Sequence, residues 1–348
     1  MARVQLENED EGGAYFSNPK PNLEFITSGC RVLDLALGGG WPMGRISNVV
    51  GDNSTGKTLL AIEASCNFAR KFKKGDIYFR EAESAFDKPY ASALGMPMSR
   101  VKFLEPQLHT VEDFHDDLND VCKQCRQYKK PGFYVLDSLD ALSDEAEVKR
   151  EITDGSYGAQ KAKKMSELFR KLVRDVEASN VHLMIISQLR DKIGAMFGEK
   201  SSRSGGRALN FYASQVVWLH HMGAITKTTR GQKLPVGVEI KAKVKKNKIG
   251  LPLREAHFDI LFGFGTDDLR ASLMFLNEID AIEDVGGAWP KGAKDRMTKI
   301  LDMLDDLNDL PDGKYWEEVD RVGALVERRW REMDKAVLPT RNKRSRPS

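Results

Sequence analysis

The chain has 348 residues, of which 41% are hydrophobic and 30% are charged, and its formal net charge is +3. These values predict one large α/β domain with a smaller appendage, and they exclude an intrinsically disordered chain. The sequence has no secretory signal and no apolar run of about 18 residues, so we expect a soluble cytoplasmic protein without membrane association.

Apolar patterning predicts the elements in chain order. Residues 1–24 are polar and contain Pro19 and Pro21, which predicts a flexible N-terminal arm. Buried or alternating apolar segments predict strands at 46–50, 76–80, 132–136, 181–186, 214–219, 238–246 and near 256–261. Apolar residues at helical spacing predict helices at 57–72, 87–94, 111–127 and 158–178.

This alternation predicts an α/β core over residues 25–267, with a central, mostly parallel sheet flanked by helices on both faces. We expect the late strands to be antiparallel, because short turns join them. Helical segments after Gly265 predict a small C-terminal domain over 268–337. Residues 338–348 are polar and basic, which predicts a disordered tail.

Two local features need separate interpretation. Residues 189–213 are rich in glycine and charge, which predicts a long functional loop. Cys122 and Cys125 form a C-x-x-C pair, but no second ligand pair follows at zinc spacing. Both fall within the helical pattern at 111–127, so we interpret them as helix residues, with a metal or redox site as the alternative.

Residues 51–58 fit the phosphate-binding pattern G-x-x-x-x-G-K-[ST] between a predicted strand and a predicted helix. In that context, backbone N–H groups and the helix N-terminus favour bound phosphate, whereas a chance glycine-rich turn is the alternative. Lys57 is expected to reach the β- and γ-phosphates of ATP, and Thr58 to hold Mg²⁺. The candidate ATP-binding residues here are Gly51, Asp52, Asn53, Ser54, Thr55, Gly56, Lys57, Thr58 and Leu59.

Three polar side chains follow other predicted strands. Asp137 ends the apolar run 133–136, as expected for a carboxylate that binds Mg²⁺ through water. Glu83 follows the strand at 76–80, where ligands gather in an open α/β sheet, and is our candidate for activating water, with Glu81 as its competitor. Gln188 follows the strand at 181–186. It is either a sensor of the γ-phosphate or an ordinary polar strand end.

Several segments together resemble the bacterial RecA recombinase family, including its phage-encoded members, from about Ile26 to Trp289. The phosphate loop alone occurs in many families, but this combination is close to diagnostic. The most specific segment is 188–198, followed by Gly205, Gly206 and residues 208–214. The others are the approach at 27–46, Glu81 to Glu83, Phe86 with Asp87 and Tyr90, Asp137 with Ser138, and Ala141 with Leu142.

The resemblance implies roles for residues around the nucleotide. Glu83 would activate the attacking water, and Gln188 would couple the γ-phosphate to a DNA-binding loop. Asp87 and Tyr90 would contact the adenine. Lys246 and Lys248 would reach across a filament interface to the neighbour's ATP, so that hydrolysis depends on assembly. Without the resemblance, a solvated basic strand is the favoured interpretation of these lysines.

The resemblance also implies two DNA-binding loops, near Arg150–Gly158 and at 189–213. Glycines would let the backbone approach phosphates, basic residues would supply charge, and large side chains would wedge between bases. The alternative interpretation of Met196 and Phe197 is that they pack into the core and anchor the loop. The implied DNA-binding residues are Tyr157, Gly158, Arg170, Arg190, Lys192, Met196, Phe197, Gly205, Gly206 and Arg207, with Lys241 and Lys243 at a secondary, duplex-facing site.

The chain departs from the family pattern in three places. Its N-terminal arm has no clear counterpart of the family's oligomerisation helix. His220 and His221 stand where the family tends to carry arginines. The tail at 341–346 is basic, whereas the family often ends in an acidic tail. These departures favour a divergent, phage-encoded member.

Our leading hypothesis is an ATP-dependent recombination protein that uses Mg²⁺, forms helical filaments on single-stranded DNA, and catalyses pairing and strand exchange with homologous double-stranded DNA. Its expected partners are these DNAs, further copies of itself, and a single-strand-binding protein or recombination mediators. The alternatives are a RecA-fold hexameric helicase or repair-accessory ATPase, and a DNA-coating scaffold with negligible turnover.

Overall fold

The computed structural model describes residues 23–83, 86–104, 107–148, 158–191, 201–203 and 206–339. Its strands are β1 (Phe25–Ile26), β2 (Trp41–Pro42), β3 (Ile46–Gly51), β4 (Asp76–Glu81), β5 (Val101–Lys102), β6 (Gly132–Asp137), β7 (Val181–Asp191), β8 (Ser201–Arg203), β9 (Gln215–Thr229), β10 (Gln232–Asn247), β11 (Glu255–Leu261) and β12 (Gly265–Thr266). Its α-helices are α1 (Arg31–Leu37), α2 (Lys57–Lys71), α3 (Lys88–Ala93), α4 (Val111–Tyr128), α5 (Glu145–Val148), α6 (Gly158–Ser179), α7 (Gly206–Tyr212), α8 (Asp268–Glu278), α9 (Ala293–Asn308) and α10 (Asp312–Val337).

Most strands form one sheet in the order β12-β11-β10-β9-β3-β7-β6-β4-β5, with β8 beside β7. Pairing is parallel from β9 through β3, β7, β6 and β4 to β5. It is antiparallel from β9 through β10 and β11 to β12. The predicted fold class is therefore confirmed, including the antiparallel late strands.

Helices cover both faces of the parallel strands, which is why those strands are apolar on both sides. On β3, for example, Val49 packs into the core that includes α1, α2 and α8, whereas Val50 packs into the core that includes α4, α6 and α7. Cys122 and Cys125 are buried free thiols on α4. No group of three potential metal-binding side chains is found among the described residues.

The prediction of a loop over 189–213 is wrong for the residues of this range that the structure describes, which are 189–191, 201–203 and 206–213. Strand β7 continues to Asp191 and pairs with β8, and α7 follows at Gly206. Helix α7 forms because Ala208 and Leu209 bury their side chains in the core beside α6, which also holds Ala213. The helix cannot be recognised from the sequence, because its apolar cluster is short and lies among glycines and charged residues.

Strands β9 and β10 are much longer than predicted. Their pairing extends from Asn247 and Gln215 to a tight turn between Thr229 and Gln232. Beyond Gly237, where pairing with β11 ends, most residues of this hairpin are exposed. Apolar patterning does not reveal this part, because a strand without a buried face needs no alternation.

The C-terminal helices pack on the core that contains α1 and α2, through α8 and α10. Trp330 of α10 is 8% exposed, and its ring centroid lies 5.4 Å from that of Phe275 on α8. A domain boundary at residue 268 stays a prediction. None of the helices in the described part of the chain is both long and apolar enough to span a membrane.

This packing predicts different effects for two tryptophans of α10. Trp330→Ala is expected to lower the free energy of unfolding by about 3–5 kcal/mol, because it leaves a cavity against α8. Trp316→Ala, at a position that is 60% exposed, is expected to change it by less than about 0.5 kcal/mol. Urea denaturation measures both, and equal losses would contradict the docking of α10.

Candidate nucleotide site

The candidate site lies at the carboxyl ends of four adjacent parallel strands. Gly51, at the end of β3, pairs in register with Gln188 of β7. Glu81, at the end of β4, pairs in register with Asp137 at the end of β6. The polar residues predicted from separate segments of the sequence are therefore collected at one edge of the sheet, where ligands bind in open α/β folds.

The phosphate loop connects β3 to α2. Gly56 has a left-handed backbone with φ of +82°, and no side chain caps the helix that begins at Lys57. The N-terminal N–H groups of α2 are thus left for an anionic ligand. The Lys57 ammonium donates to the Asp52 carbonyl oxygen at 2.6 Å, and Thr55 Oγ1 donates to the same oxygen at 2.8 Å. Burial lowers the pKa of Lys57, opposed by the nearby carboxylates of Asp137 and Glu83.

The two predicted metal-binding residues are in direct contact. Thr58 Oγ1 donates to Asp137 Oδ2 at 2.6 Å. Burial raises the pKa of Asp137 to about 6, and the negative charge of Glu83 adds to this. One hydroxyl and one carboxylate fit Mg²⁺, which prefers oxygen ligands and keeps waters or substrate phosphates at its remaining positions.

Glu83 and Gln188 meet beside this pair. Glu83 Oε1 accepts hydrogen bonds from Gln188 Nε2, at 2.9 Å, and from the Ser138 hydroxyl. The backbone N–H of Gln188 donates to Asp140 Oδ2 at 2.7 Å. The exposed carboxylate of Glu83 therefore contacts the residue that follows β6 and a residue within β7.

Glu81, the competing candidate, has a different environment. Its Oε1 accepts from the backbone N–H of Glu83 at 2.7 Å, and its Oε2 accepts from Gln107 Nε2 at 2.9 Å. Glu81 thus holds the backbone that carries Glu83. The contacts of Ser138 and Asp140 could not be predicted from the sequence. Ser138 belongs to a segment that resembles the RecA family, and both residues closely follow the strand that ends at Asp137.

The profile of the RecA N-terminal domain matches residues 14–267 of this chain. The chain belongs to the RecA recombinase family. It is 33% identical over 311 residues to Protein RecA of Crocosphaera subtropica, and equally to that of Rippkaea orientalis; each match covers 89% of this chain and 83% of the relative. It is 32% identical over 320 residues to Protein RecA of Synechocystis sp., covering 91% of this chain and 84% of the relative. RecA-family proteins are DNA-dependent ATPases that act in homologous recombination.

In this RecA-family chain, Lys246 and Lys248 contact the C-terminal end of α7. Lys246 Nζ lies 2.5 Å from the Asn210 carbonyl oxygen and 2.7 Å from that of Phe211. Lys248 Nζ lies 3.1 Å from the Phe211 carbonyl oxygen. Ammonium groups are favoured there because the last carbonyl groups of a helix carry partial negative charge. Within one subunit, these lysines therefore contact the C-terminal end of the segment 188–212, which begins at Gln188 and ends with α7.

The two residues predicted to contact adenine, Asp87 and Tyr90, lie at the start of α3. Asp87 caps α3 by accepting from the Tyr90 N–H at 2.9 Å, and the Tyr90 ring is partly buried against the core beside α2. Their contact with adenine stays a prediction.

The DNA-binding predictions also remain predictions. Gly158 begins α6, Arg170 is exposed on α6, and Arg190 pairs in register with Ser202. Gly206 and Arg207 begin α7. Outside the described residues lie Tyr157, Lys192, Met196, Phe197 and Gly205.

The geometry of the phosphate loop predicts that Gly56→Ala is destabilising. A Cβ at Gly56 would lie 2.2 Å from Ile260 Cδ1, in addition to the strain of φ at +82°. Gly231→Ala is the matched control, because its φ is +76° but nothing lies within 4 Å of the added Cβ. We expect both variants to lose about 1–2 kcal/mol from backbone strain, and Gly56→Ala to lose about 1–3 kcal/mol more from the clash. Urea denaturation compares them, and equal losses would contradict this prediction by showing that the Ile260 methyl moves aside without cost.

Proposed function

We propose that this RecA-family chain assembles into helical filaments on single-stranded DNA, and that it hydrolyses ATP with Mg²⁺ while pairing and exchanging strands with homologous duplex DNA. Lys57, Thr58 and Asp137 would hold the nucleotide and Mg²⁺, and the metal would neutralise charge on the phosphates. Glu83 would accept a proton from the attacking water. A cytoplasmic location, a phage origin and dependence on mediator proteins stay predictions.

The observation that carries this proposal is the hydrogen bond between Glu83 and Gln188. It joins the carboxylate beside the phosphate loop to the start of the segment that ends in α7. A γ-phosphate near Glu83 would compete for the Gln188 amide, and so would change the contacts that hold this segment. Bound nucleotide then shifts the DNA-binding conformation by its different affinity for the two states.

Lys246 and Lys248 contact the other end of that segment, at the carbonyl groups of α7. We propose that stacking of subunits brings these ammonium groups to the neighbour's phosphates. Two cations supplied across an interface stabilise the charge of the transferring phosphoryl group only in the assembled filament. The presence of Glu83 together with both lysines favours a filament-dependent ATPase over a scaffold that binds ATP without turnover.

The direct test is ATP hydrolysis with and without single-stranded DNA, with electron microscopy of the same samples. We expect DNA to stimulate hydrolysis and to produce helical filaments. Replacing both Lys246 and Lys248 with Ala should remove most of the stimulation, by about 10²-fold or more, while ATP still binds. Closed rings with DNA-independent hydrolysis would instead support the helicase-like alternative.

Glu81 and Glu83 make different contacts, which predicts different rates of ATP hydrolysis when each is replaced by Gln. Glu83→Gln should lower the DNA-stimulated rate of hydrolysis by about 10²–10⁴-fold, because an amide cannot accept the proton of water. Glu81→Gln keeps a hydrogen-bonding group next to Gln107, so its rate should fall much less. Single-turnover hydrolysis with saturating single-stranded DNA measures both. A larger loss in Glu81→Gln would reverse the assignment.

A further inference from the structure

Strands β10 and β11 present a row of charged side chains on one face. On β10, Lys241 and Lys243 alternate with the fully buried Ala242 and Val244. On β11, Glu255 lies directly opposite Lys243 in the antiparallel register. The other face of these strands packs on α1 and α8, so the charged side chains point away from that core.

The Glu255 carboxylate binds both lysines at once. Its Oε2 lies 2.6 Å from Lys241 Nζ, and its Oε1 lies 2.7 Å from Lys243 Nζ. These two hydrogen bonds lower the pKa of Glu255 to about 2, so it is ionised at any pH at which the protein is expected to work. Two positive charges and one negative charge leave this group with a net charge of +1.

The group remains open to solvent. The side chains of Lys241, Lys243 and Glu255 are 29%, 34% and 33% exposed. The next outward residue of β11, His257, instead contacts Glu278 of α8, with 3.0 Å between Nδ1 and Oε1. His257 lies opposite Lys241 in the antiparallel register, but its contact partner is Glu278, whereas Glu255 binds the two lysines.

We propose that Glu255 is an internal competitor for duplex phosphates, which holds Lys241 and Lys243 and so weakens the binding of double-stranded DNA at these residues. The inference rests on the proposed function, in which duplex DNA is a partner, and on the duplex-facing role that the RecA resemblance implies for Lys241 and Lys243. A DNA phosphate presents negatively charged oxygens to the same ammonium groups. It must therefore displace or share Glu255 before both lysines can bind it.

The consequence is a weak, rapidly released contact with duplex DNA. Each lysine freed from its carboxylate would neutralise a phosphate and release a counterion. Because Glu255 weakens phosphate binding, the filament would bind and release duplexes whose sequence does not match its single-stranded DNA. Strong phosphate binding, by contrast, would retain every duplex regardless of sequence.

The test uses the full-length protein assembled on unlabelled single-stranded DNA with a slowly hydrolysed ATP analogue. A labelled, heterologous duplex is titrated by fluorescence anisotropy over a series of salt concentrations. We expect Glu255→Gln to raise duplex affinity by about three- to tenfold. We also expect the slope of log affinity against log salt concentration to become more negative by about one. Glu278→Gln, the matched control, should bind duplex like the wild type.

Two further variants make the outcome decisive. Adding Lys241→Gln and Lys243→Gln to Glu255→Gln should remove the gain, because the gain acts through these lysines. Glu255→Asp keeps the charge but shortens its reach, so its gain should be smaller than that of Glu255→Gln. If Glu255→Gln does not fold, Glu255→Asp decides: affinity above that of the wild type supports the proposal, and affinity equal to it or lower overturns it.

Failure of this inference is distinguishable from failure of the proposed function. If the wild type hydrolyses ATP on single-stranded DNA and forms filaments, but Glu255→Gln binds duplex no more tightly, then Glu255 is only a cross-strand ion pair. If the wild type shows neither DNA-stimulated hydrolysis nor filaments, the proposed function itself is wrong.

Discussion

The parallel register of β4, β6, β7 and β3 is the constraint on which the rest of the site depends. It brings the ends of four strands to one edge of the sheet, so that Glu81 lies beside Asp137 and Gly51 lies beside Gln188. A slip of one residue in any of these pairings would turn a strand's side chains to the opposite face. The apolar residues on both faces of these strands hold the register in place, because each face is buried under helices.

That edge carries charges whose burial is unfavourable without a ligand. Burial raises the pKa of Asp137 and lowers the pKa of Lys57, and each shift disfavours the ionised form of its group. Phosphate oxygens beside Lys57 and a cation beside Asp137 would stabilise both ionised forms. The same edge holds Glu83 in a hydrogen bond with Gln188, so under the proposed function a ligand that relieves the local electrostatic cost would also act on the segment that leads to α7.

Much of the fold and part of the site could be predicted from the sequence. The phosphate loop and the strand before Asp137 are recognisable because their chemistry requires fixed residue types in a local pattern. The extension of β7, helix α7 and the outer hairpin of β9 and β10 were missed, because short or exposed elements lack strong apolar periodicity. The family profile and the relatives support the resemblance seen in residues 26–289.

Contacts between distant residues could not be predicted in the same way. Glu255 pairs with Lys243 because β10 and β11 adopt one particular antiparallel register, and the sequence shows only two charged strands. The choice between Glu81 and Glu83 likewise depends on which carboxylate faces Gln188, since both flank the same strand end. Side-chain orientation at a strand end follows from the turn after it, and apolar patterning carries no information about that turn.

The central claim is that Gln188 carries the state of the nucleotide from Glu83 to the segment that ends in α7. The most direct measurement is amide hydrogen exchange of residues 188–212, with and without Mg²⁺ and a slowly hydrolysed ATP analogue, in the wild type and in Gln188→Ala. The account predicts that the nucleotide changes exchange in this segment of the wild type, and that Gln188→Ala loses this change while the phosphate loop is still protected. An equal change in both proteins would contradict it.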